Sequence, residues 1–537
     1  MKDDRGMMSG PGFGDGPGRR DFLRLGAVGT LAVGSAAILS ACGSSSPSAT
    51  TGSSSAGGKP KRGGTLQFAI GSGGSSDAMN PLKPGLPPDY ARLPQVFEPL
   101  AMWDANMNSV PLLAESIEPN KDGSVWTVRL RKGITFHNGK PLSADDVIYT
   151  FQQIMNPKDP GYGAEAMQLL DTKNIKKVDT YTVEFPCVKP FSMFLKTLPV
   201  YEYYIVPVGW KAGQTIGTGP FKLDSFVPGQ ASEMSRNPNY WQAGLPYVDK
   251  VVMTDYTQET ARVNALISGQ VNAIDQLSAT SIAQLKGAGM QLNISNGGGF
   301  CPWTMRVDLA PFNDPNVREA LKLCVDRHAI RESVYGGYGA IGNDVFAYWD
   351  PDYDHSLPQR QQDIEKAKYL LNKAGHSNLT LSLAIAPQAQ GYLTEAELFQ
   401  QQAATAGVKI NLNQVTATDF NNSYTLWPFA NSFWYSNPYL NEVSLSTLGK
   451  GSPFNETHFN DAAYAALYNE AISTLDETKQ REIVHEMQAI DYASSGYILP
   501  VFLPIIDGLS PKVHGDGPSK AGTAFNNWDL RRFWVDD

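Results

Sequence analysis

The chain has 537 residues, too many for one hydrophobic core and enough for two or three domains. Its formal charge of −9 excludes the basic stripe with which a nucleic-acid binder displaces counterions from phosphates. Past residue 41 no segment has the length and apolarity of a membrane-spanning helix, and 36 prolines and 50 glycines break the chain into short elements, so the body reads as soluble and loop-rich.

The N-terminus reads as an export address. Arg19-Arg20-Asp21-Phe22-Leu23-Arg24 precedes a weakly apolar run at 25–38 and then Leu39-Ser40-Ala41-Cys42. A charged region, a short apolar segment and small residues before a cleavage point are the layout of a signal peptide, and the paired arginines point to the twin-arginine route. Leu-Ser-Ala-Cys resembles a lipobox, which makes Cys42 the lipidated first residue of the mature protein. A transmembrane helix is the alternative, but the run contains Gly26, Gly29 and Gly34 and falls short of the ~20 strongly apolar residues a span needs. Residues 43–58 are almost wholly Ser, Gly, Ala and Thr, too poor in apolar groups to offset the entropy of ordering, and read as a tether. The expected organisation is a signal peptide at 1–41, a lipid-anchored linker at 42–62 and a folded body from 63.

In that body Thr65-Leu66-Gln67-Phe68-Ala69-Ile70 alternates like a strand and ends at a Gly/Ser loop. Residues 125–130 and 181–185 read as further strands. Between them Ser143, followed by Asp145 and Asp146, marks a helix start, with the acids placed to meet the positive helix end. Val147, Phe151 and Ile154 then share a face. Asp314-Pro315 repeats the start signal, and Val317, Ala320, Leu321 and Cys324 follow at helical spacing, which makes Cys324 a core residue. Ile364, Ala367, Leu370, Leu371 and Ala374 form another stripe, closed by Gly375. Strands are expected at 379–385, 408–415 and 497–503, and the alternation of strand and helix indicates α/β domains. Beside Cys42 stand Cys187, Cys301 and Cys324, an odd count that leaves one disulfide or none open and a spacing that fits no metal motif.

Several segments carry a resemblance. Pro111-Leu112-Leu113-Ala114-Glu115-Ser116, then 122–131, then 133–147 with Phe136-His137-Asn138-Gly139-Lys140-Pro141-Leu142 at its centre, form a nearly unbroken signature. Gly217-Thr218-Gly219-Pro220-Phe221, Arg236-Asn237-Pro238-Asn239-Tyr240-Trp241 and 310–321 follow in order. Together they resemble the extracytoplasmic solute-binding proteins of ABC importers, in the peptide- and nickel-binding family 5. The resemblance implies an α/β, two-lobed, type II periplasmic-binding-protein-like fold with an extra inserted subdomain and a ligand cleft between the lobes. By analogy lobe I comprises 63–110, 213–305 and 498–537, the insert 111–212, and lobe II 306–497. It further implies a non-enzymatic receptor without a cofactor, whose lobes close over a solute and whose closed form an ABC permease recognises. The expected partners are a small-molecule or peptide ligand, the transmembrane permease subunits and the membrane, held through the lipid on Cys42. No nucleic acid is expected, and the receptor is expected to be a monomer on the outer face of the cytoplasmic membrane.

In peptide-binding relatives the ligand amine is met by an acid in a segment of the form Asp-Tyr-Pro-Asp-Pro. The corresponding stretch here is Phe433-Trp434-Tyr435-Ser436-Asn437-Pro438, with Trp434 at the acid position. A carboxylate pairing an ammonium in a dry cleft outweighs a neutral contact, so this departure puts a free peptide N-terminus in doubt. Trp434 instead stacks on a ring, covers an apolar group, holds a cation, or packs in the core beside Trp427 and Phe433. Arg306 offers its planar fork to an anionic ligand or pairs with Asp308, and Gly71 and Ser72 follow the first strand, where family members bring backbone to the ligand. The expected ligand-binding residues are Gly71, Ser72, Trp303, Arg306, Trp434, Tyr435, Ser436 and Asn437, with no catalytic and no metal-binding residue. Short peptides are the family default, and oligosaccharides, opine-like conjugates, cationic metabolites and metal chelates are the alternatives.

Rival signatures are weak. Gly337-Tyr338-Gly339-Ala340-Ile341-Gly342 has the three-glycine dinucleotide spacing but follows a helix rather than a strand. His485-Glu486 lacks the second zinc-protease histidine, since Ala489 stands there. A receptor that signals without feeding a transporter has the same fold.

Overall fold

The structure, a computed structural model, describes residues 59–536 apart from 72–73, 75–76, 85–86, 200–202, 387–390, 450–451, 453, 516 and 519–522. The expected leader, Cys42, the tether and Ser72 therefore lie outside the described residues.

Thr65–Gly71 lies in the middle of an eight-stranded sheet, parallel to Lys250–Tyr256 on one side and Ala273–Ile274 on the other. A strand covered on both faces reads as an apolar run, and from Phe68 onward every side chain here is buried. The sheet runs Gln291–Phe300, Val501–Leu509, Ala273–Ile274, Thr65–Gly71, Lys250–Tyr256, Ala231–Arg236, Phe221–Val227, and Ala340–Ile341 pairs with Val501–Leu509 off this path. A second sheet is antiparallel, in the order Ala114–Pro119, Val125–Leu130, Thr182–Pro186, Lys176–Asp179. The helix Ala144–Ile154 lays Val147, Phe151 and Ile154 on it, with Phe151 edge-on to Phe185 at 4.9 Å. The Asp146 carboxyl reaches back to the Ser143 N–H at 3.0 Å and to its hydroxyl at 2.9 Å, which closes the helix start.

The third sheet has five strands, Val408–Gln414, Leu379–Ile385, Phe429–Asn431, Trp303–Met305 and Tyr497–Ile498. Two of the passages of the chain between it and the eight-stranded sheet are links of only two residues. Cys301-Pro302 joins Phe300 to Trp303, and Leu499-Pro500 joins Ile498 to Val501. The single strand expected at 497–503 is thus two strands in two sheets, because Pro500 has no N–H with which to continue the ladder. The second link is pinned by the Leu499 N–H, which donates to Asp344 at 2.9 Å. Burial opposes ionisation of Asp344, but Arg327 and Arg360 hold its carboxyl below the usual range. The glycine-rich 337–342 stretch is structural: a Cβ at Gly342 would lie 2.2 Å from the Leu499 carbonyl oxygen, so only glycine lets this strand approach the link.

Trp303, expected in the ligand cleft, is a core residue. It is 1% exposed and lies flat on Phe399 of the helix Tyr392–Ala404, with ring centroids 4.1 Å apart. Cys187, Cys301 and Cys324 are free thiols, the last two buried. Trp303→Ala is expected to cost about 3–5 kcal/mol in urea unfolding of the chain, with Phe399→Ala less than additive in the same background because the two rings share one contact.

Candidate ligand cleft

One wall begins where Thr65–Gly71 ends. The Gly71 N–H donates to the buried Asp275 carboxyl at 2.7 Å, and the Arg262 guanidinium lies 3.0 Å from where a Gly71 Cβ would be. Gly71 is therefore fixed by its own sheet, with its amide already engaged. Beyond it, buried Arg92 of the helix Pro87–Val96 bonds Asp77 at 3.0 Å and Ser232 at 3.1 Å and also pairs with Asp255. That cluster locks the helix onto the eight-stranded sheet and so sets the position of Tyr90.

The facing wall follows Phe429–Asn431. Trp434 and Phe300 exchange both main-chain hydrogen bonds, at 2.9 and 3.0 Å, just before the Cys301-Pro302 link. Gly299 permits this approach, since a Cβ there would lie 2.7 Å from the Trp434 carbonyl oxygen. The Trp434 ring turns inward, 7% exposed, and its indole N–H donates to Glu456 at 2.7 Å. Tyr435 points the other way, 43% exposed. Its ring lies edge-on to Phe433 at 4.9 Å and, across from the helix Pro87–Val96, edge-on to Tyr90 at 5.9 Å. Ser436 is half-buried, and Asn437 donates to the Glu442 carboxyl at 2.9 Å. Arg306 is committed to Asp308, through bonds of 3.0 and 2.6 Å, and Asp308 also meets His458 at 3.2 Å.

The geometry thus brings together Trp434, Tyr435, Ser436 and Asn437, places Gly71 at the end of the central strand, and puts Trp303 and Arg306 in other contacts. Tyr90, Glu442 and Glu456 were not singled out from the sequence. Nothing in their local spacing marks them, because each matters only through a partner distant in the chain.

Four buried acids surround the helix Tyr439–Ser446 that follows this wall. Asp350 accepts the Tyr439 N–H at 2.6 Å, Asp491 takes the Tyr439 and Tyr464 hydroxyls, and Glu442 and Glu456 lie beside Asn437 and Trp434. Burial is the first cause of an upward shift in all four, pushing Glu442 to about 8 and Asp491 to about 7. Such a group is neutral in the fold and ionises near its ordinary value in the unfolded chain. Its stabilisation is full below that ordinary value and is lost as pH rises toward the folded value. Glu442→Gln is therefore expected to gain stability over the wild type by up to about 1.4 kcal/mol per pH unit between pH ~5 and 8, measured as urea midpoints across that range.

Comparisons with known proteins agree with this architecture. Residues 108–455 match the family described as bacterial extracellular solute-binding proteins, family 5 middle. The chain is 25% identical over 420 residues to the peptide transport periplasmic protein SapA of Salmonella typhimurium, covering 71% of this chain and 76% of that one. It is 27% identical over 463 residues to heme-binding protein A of Haemophilus influenzae, covering 78% and 84%. Among solved structures, the periplasmic binding protein DppA of Helicobacter pylori in complex with the peptide STSA matches with a TM-score of 0.77 at 21% identity, over 89% of this chain and 99% of that one. The binding protein AgaA of A. tumefacien R10, in complex with agropinic acid, matches with a TM-score of 0.75 at 23% identity, over 88% of this chain and 99% of that one. These likenesses show a two-lobed type II binding-protein fold. The chain belongs to the bacterial extracellular solute-binding proteins of family 5, the extracytoplasmic receptors of ABC importers, which bind their cargo and are not enzymes.

Proposed function

We propose that the chain captures a short peptide in the cleft between Gly71 and 434–437 and delivers it to an ABC permease by lobe closure. The observation that carries this reading is the meeting of Tyr90 and Tyr435 at 5.9 Å, one ring from a helix on the eight-stranded sheet and the other from the segment that follows the strand Phe429–Asn431 of the five-stranded sheet. A ligand that touches both walls stabilises the closed form by its differential affinity. In this reading lobe I comprises 63–110, 213–305 and 498–537, the insert 111–212 and lobe II 306–497. The likeness to SapA, a peptide transport protein, and to DppA, solved with the peptide STSA, supports peptide cargo.

A second reading, a solute without a free amine, is favoured by one feature of the wall. The two acids beside 434–437, Glu442 and Glu456, are held toward their neutral forms and present no fixed negative charge to an ammonium. Relatives described as binding heme, agropinic acid or Ni(L-His) keep this reading open. Among the described residues no group of three or more His, Cys, Asp or Glu side chains is placed to hold a bare metal ion, so nickel would enter as a chelate.

A thermal-shift comparison of the full chain with Ala-Phe-Ala, haemin, agropinic acid and Ni(L-His) separates the readings. A ligand at a hundred times its dissociation constant adds about 2.7 kcal/mol to native stability. A raised midpoint with Ala-Phe-Ala is the expected result, and a rise with the other solutes alone contradicts peptide cargo.

The anchoring belongs to the same proposal. Twin-arginine export and lipidation of Cys42 would hold the receptor as a monomer on the outer face of the cytoplasmic membrane, with residues 43–62 as its tether. Cys42→Ser is expected to abolish incorporation of labelled palmitate and to shift the protein out of the membrane fraction.

A further inference from the structure

We propose that Glu456 is the positioning residue of the cleft, fixing the 434–437 wall beside the Cys301-Pro302 link between the sheets. The inference rests on the reading that this segment lines the ligand cleft.

Glu456 is 2% exposed and stands in a loop that is itself tied down. Asn455 donates to the Gly449 and Phe459 carbonyls at 3.1 and 2.8 Å, and the Val307 N–H donates to the Thr457 carbonyl at 2.9 Å. From this base one carboxyl oxygen accepts the Trp434 indole N–H at 2.7 Å. Trp434 in turn holds Phe300 by two main-chain bonds at the entry to the Cys301-Pro302 link. The other carboxyl oxygen is buried and has no hydrogen-bond partner at ordinary geometry, while the hydroxyls of Tyr424 and Tyr497 face the group. Tyr497 begins the strand that runs into the second link, and the Tyr424 hydroxyl meets Ser432 at 3.1 Å, two residues before Trp434. One side chain thus holds the wall at Trp434, which pairs with Phe300 at the first link, while the Tyr497 hydroxyl near the second link is buried without a hydrogen-bond partner of its own.

Among the described residues nothing charged faces the carboxyl as a partner. Burial pushes the acid upward, and the groups that face it are the Trp434 indole, the Ser432, Tyr424 and Tyr497 hydroxyls and, through space, the Glu442 carboxyl and the Cys301 thiol, none of them a cation. One oxygen accepts from the indole. A glutamine amide keeps the acceptor for the indole, whereas alanine offers none and leaves the indole N–H buried and unpaired. The position of Tyr435, one residue beyond Trp434, follows from the anchored indole. Glu456 therefore acts on ligand affinity without touching the ligand.

The test is calorimetric titration of the full chain and its variants with Ala-Phe-Ala. Glu456→Gln is expected to bind within about threefold of the wild type, and Glu456→Ala roughly tenfold or more weakly, the cost of leaving a buried donor unpaired. Trp434→Phe should weaken binding comparably, and the double variant Glu456→Ala, Trp434→Phe should be no weaker than the worse single variant, since both remove one interaction. The Trp434 emission, isolated by subtracting the Trp434→Phe spectrum, should shift in Glu456→Ala and stay in place in Glu456→Gln, which a general loss of stability would not produce. Losses that multiply, or a Glu456→Gln variant as weak as Glu456→Ala, or unchanged binding by Glu456→Ala, overturn the proposal while leaving peptide capture intact. Absence of Ala-Phe-Ala binding by the wild type overturns the peptide reading, and the proposal with it.

Discussion

The constraint on which the rest of the structure depends is the passage of the chain between two sheets through two links of two residues each, Cys301-Pro302 and Leu499-Pro500. Both links carry a proline, so neither can be absorbed into a continuous ladder, and each divides one run of extended chain between two sheets. Their flanks are held firmly. Leu499 bonds the Asp344 carboxyl that Arg327 engages with two bonds, at 2.7 and 2.8 Å, and Phe300 pairs with Trp434 in both directions. Two bodies joined by short links with rigid flanks can rotate as units, which is what closure over a solute requires.

The electrostatics around the wall at 434–437 follow from burial rather than from charge pairing. Asp350, Glu442, Glu456 and Asp491 lie among tyrosine hydroxyls, indole and amide groups, and burial holds their carboxyls toward the neutral form. The eight-stranded side uses a different solution, placing Arg92 between Asp77 and Asp255 and Arg262 beside Asp275. Burial raises Asp255 and Asp275 there as well, to about 6 and about 7, so the two sides differ in the arginines set beside the acids. In the proposed cleft a solute would meet aromatic edges from Tyr90 and Tyr435.

Much of the local structure was readable from the sequence, and the site was readable only in part. Ser143 with Asp146, and Asp314 with Pro315, start helices where their spacing places them, because capping is decided within a few residues. The strand at Leu379–Ile385 appears as expected for the same reason: a period-two pattern is local. The family signature at 111–147 located the inheritance of the whole chain. The strand expected at 497–503 divides because the choice between two sheets is made by partners hundreds of residues away. Trp303 looked like a cleft aromatic and is a core one, and Arg306 pairs with Asp308, the alternative its sequence left open. Tyr90 and Glu456 went unread, since a ring or a carboxyl gains its role from what long-range folding sets against it.

The most direct measurement of the central claim is hydrogen–deuterium exchange of the full chain with and without Ala-Phe-Ala. Closure over a solute between the sheets predicts slower exchange together in the helix Pro87–Val96, at 433–437 and at the links around 301–302 and 499–500. Protection confined to one of these walls, or exchange unchanged in both while the peptide is bound, would contradict a ligand cleft between the two bodies.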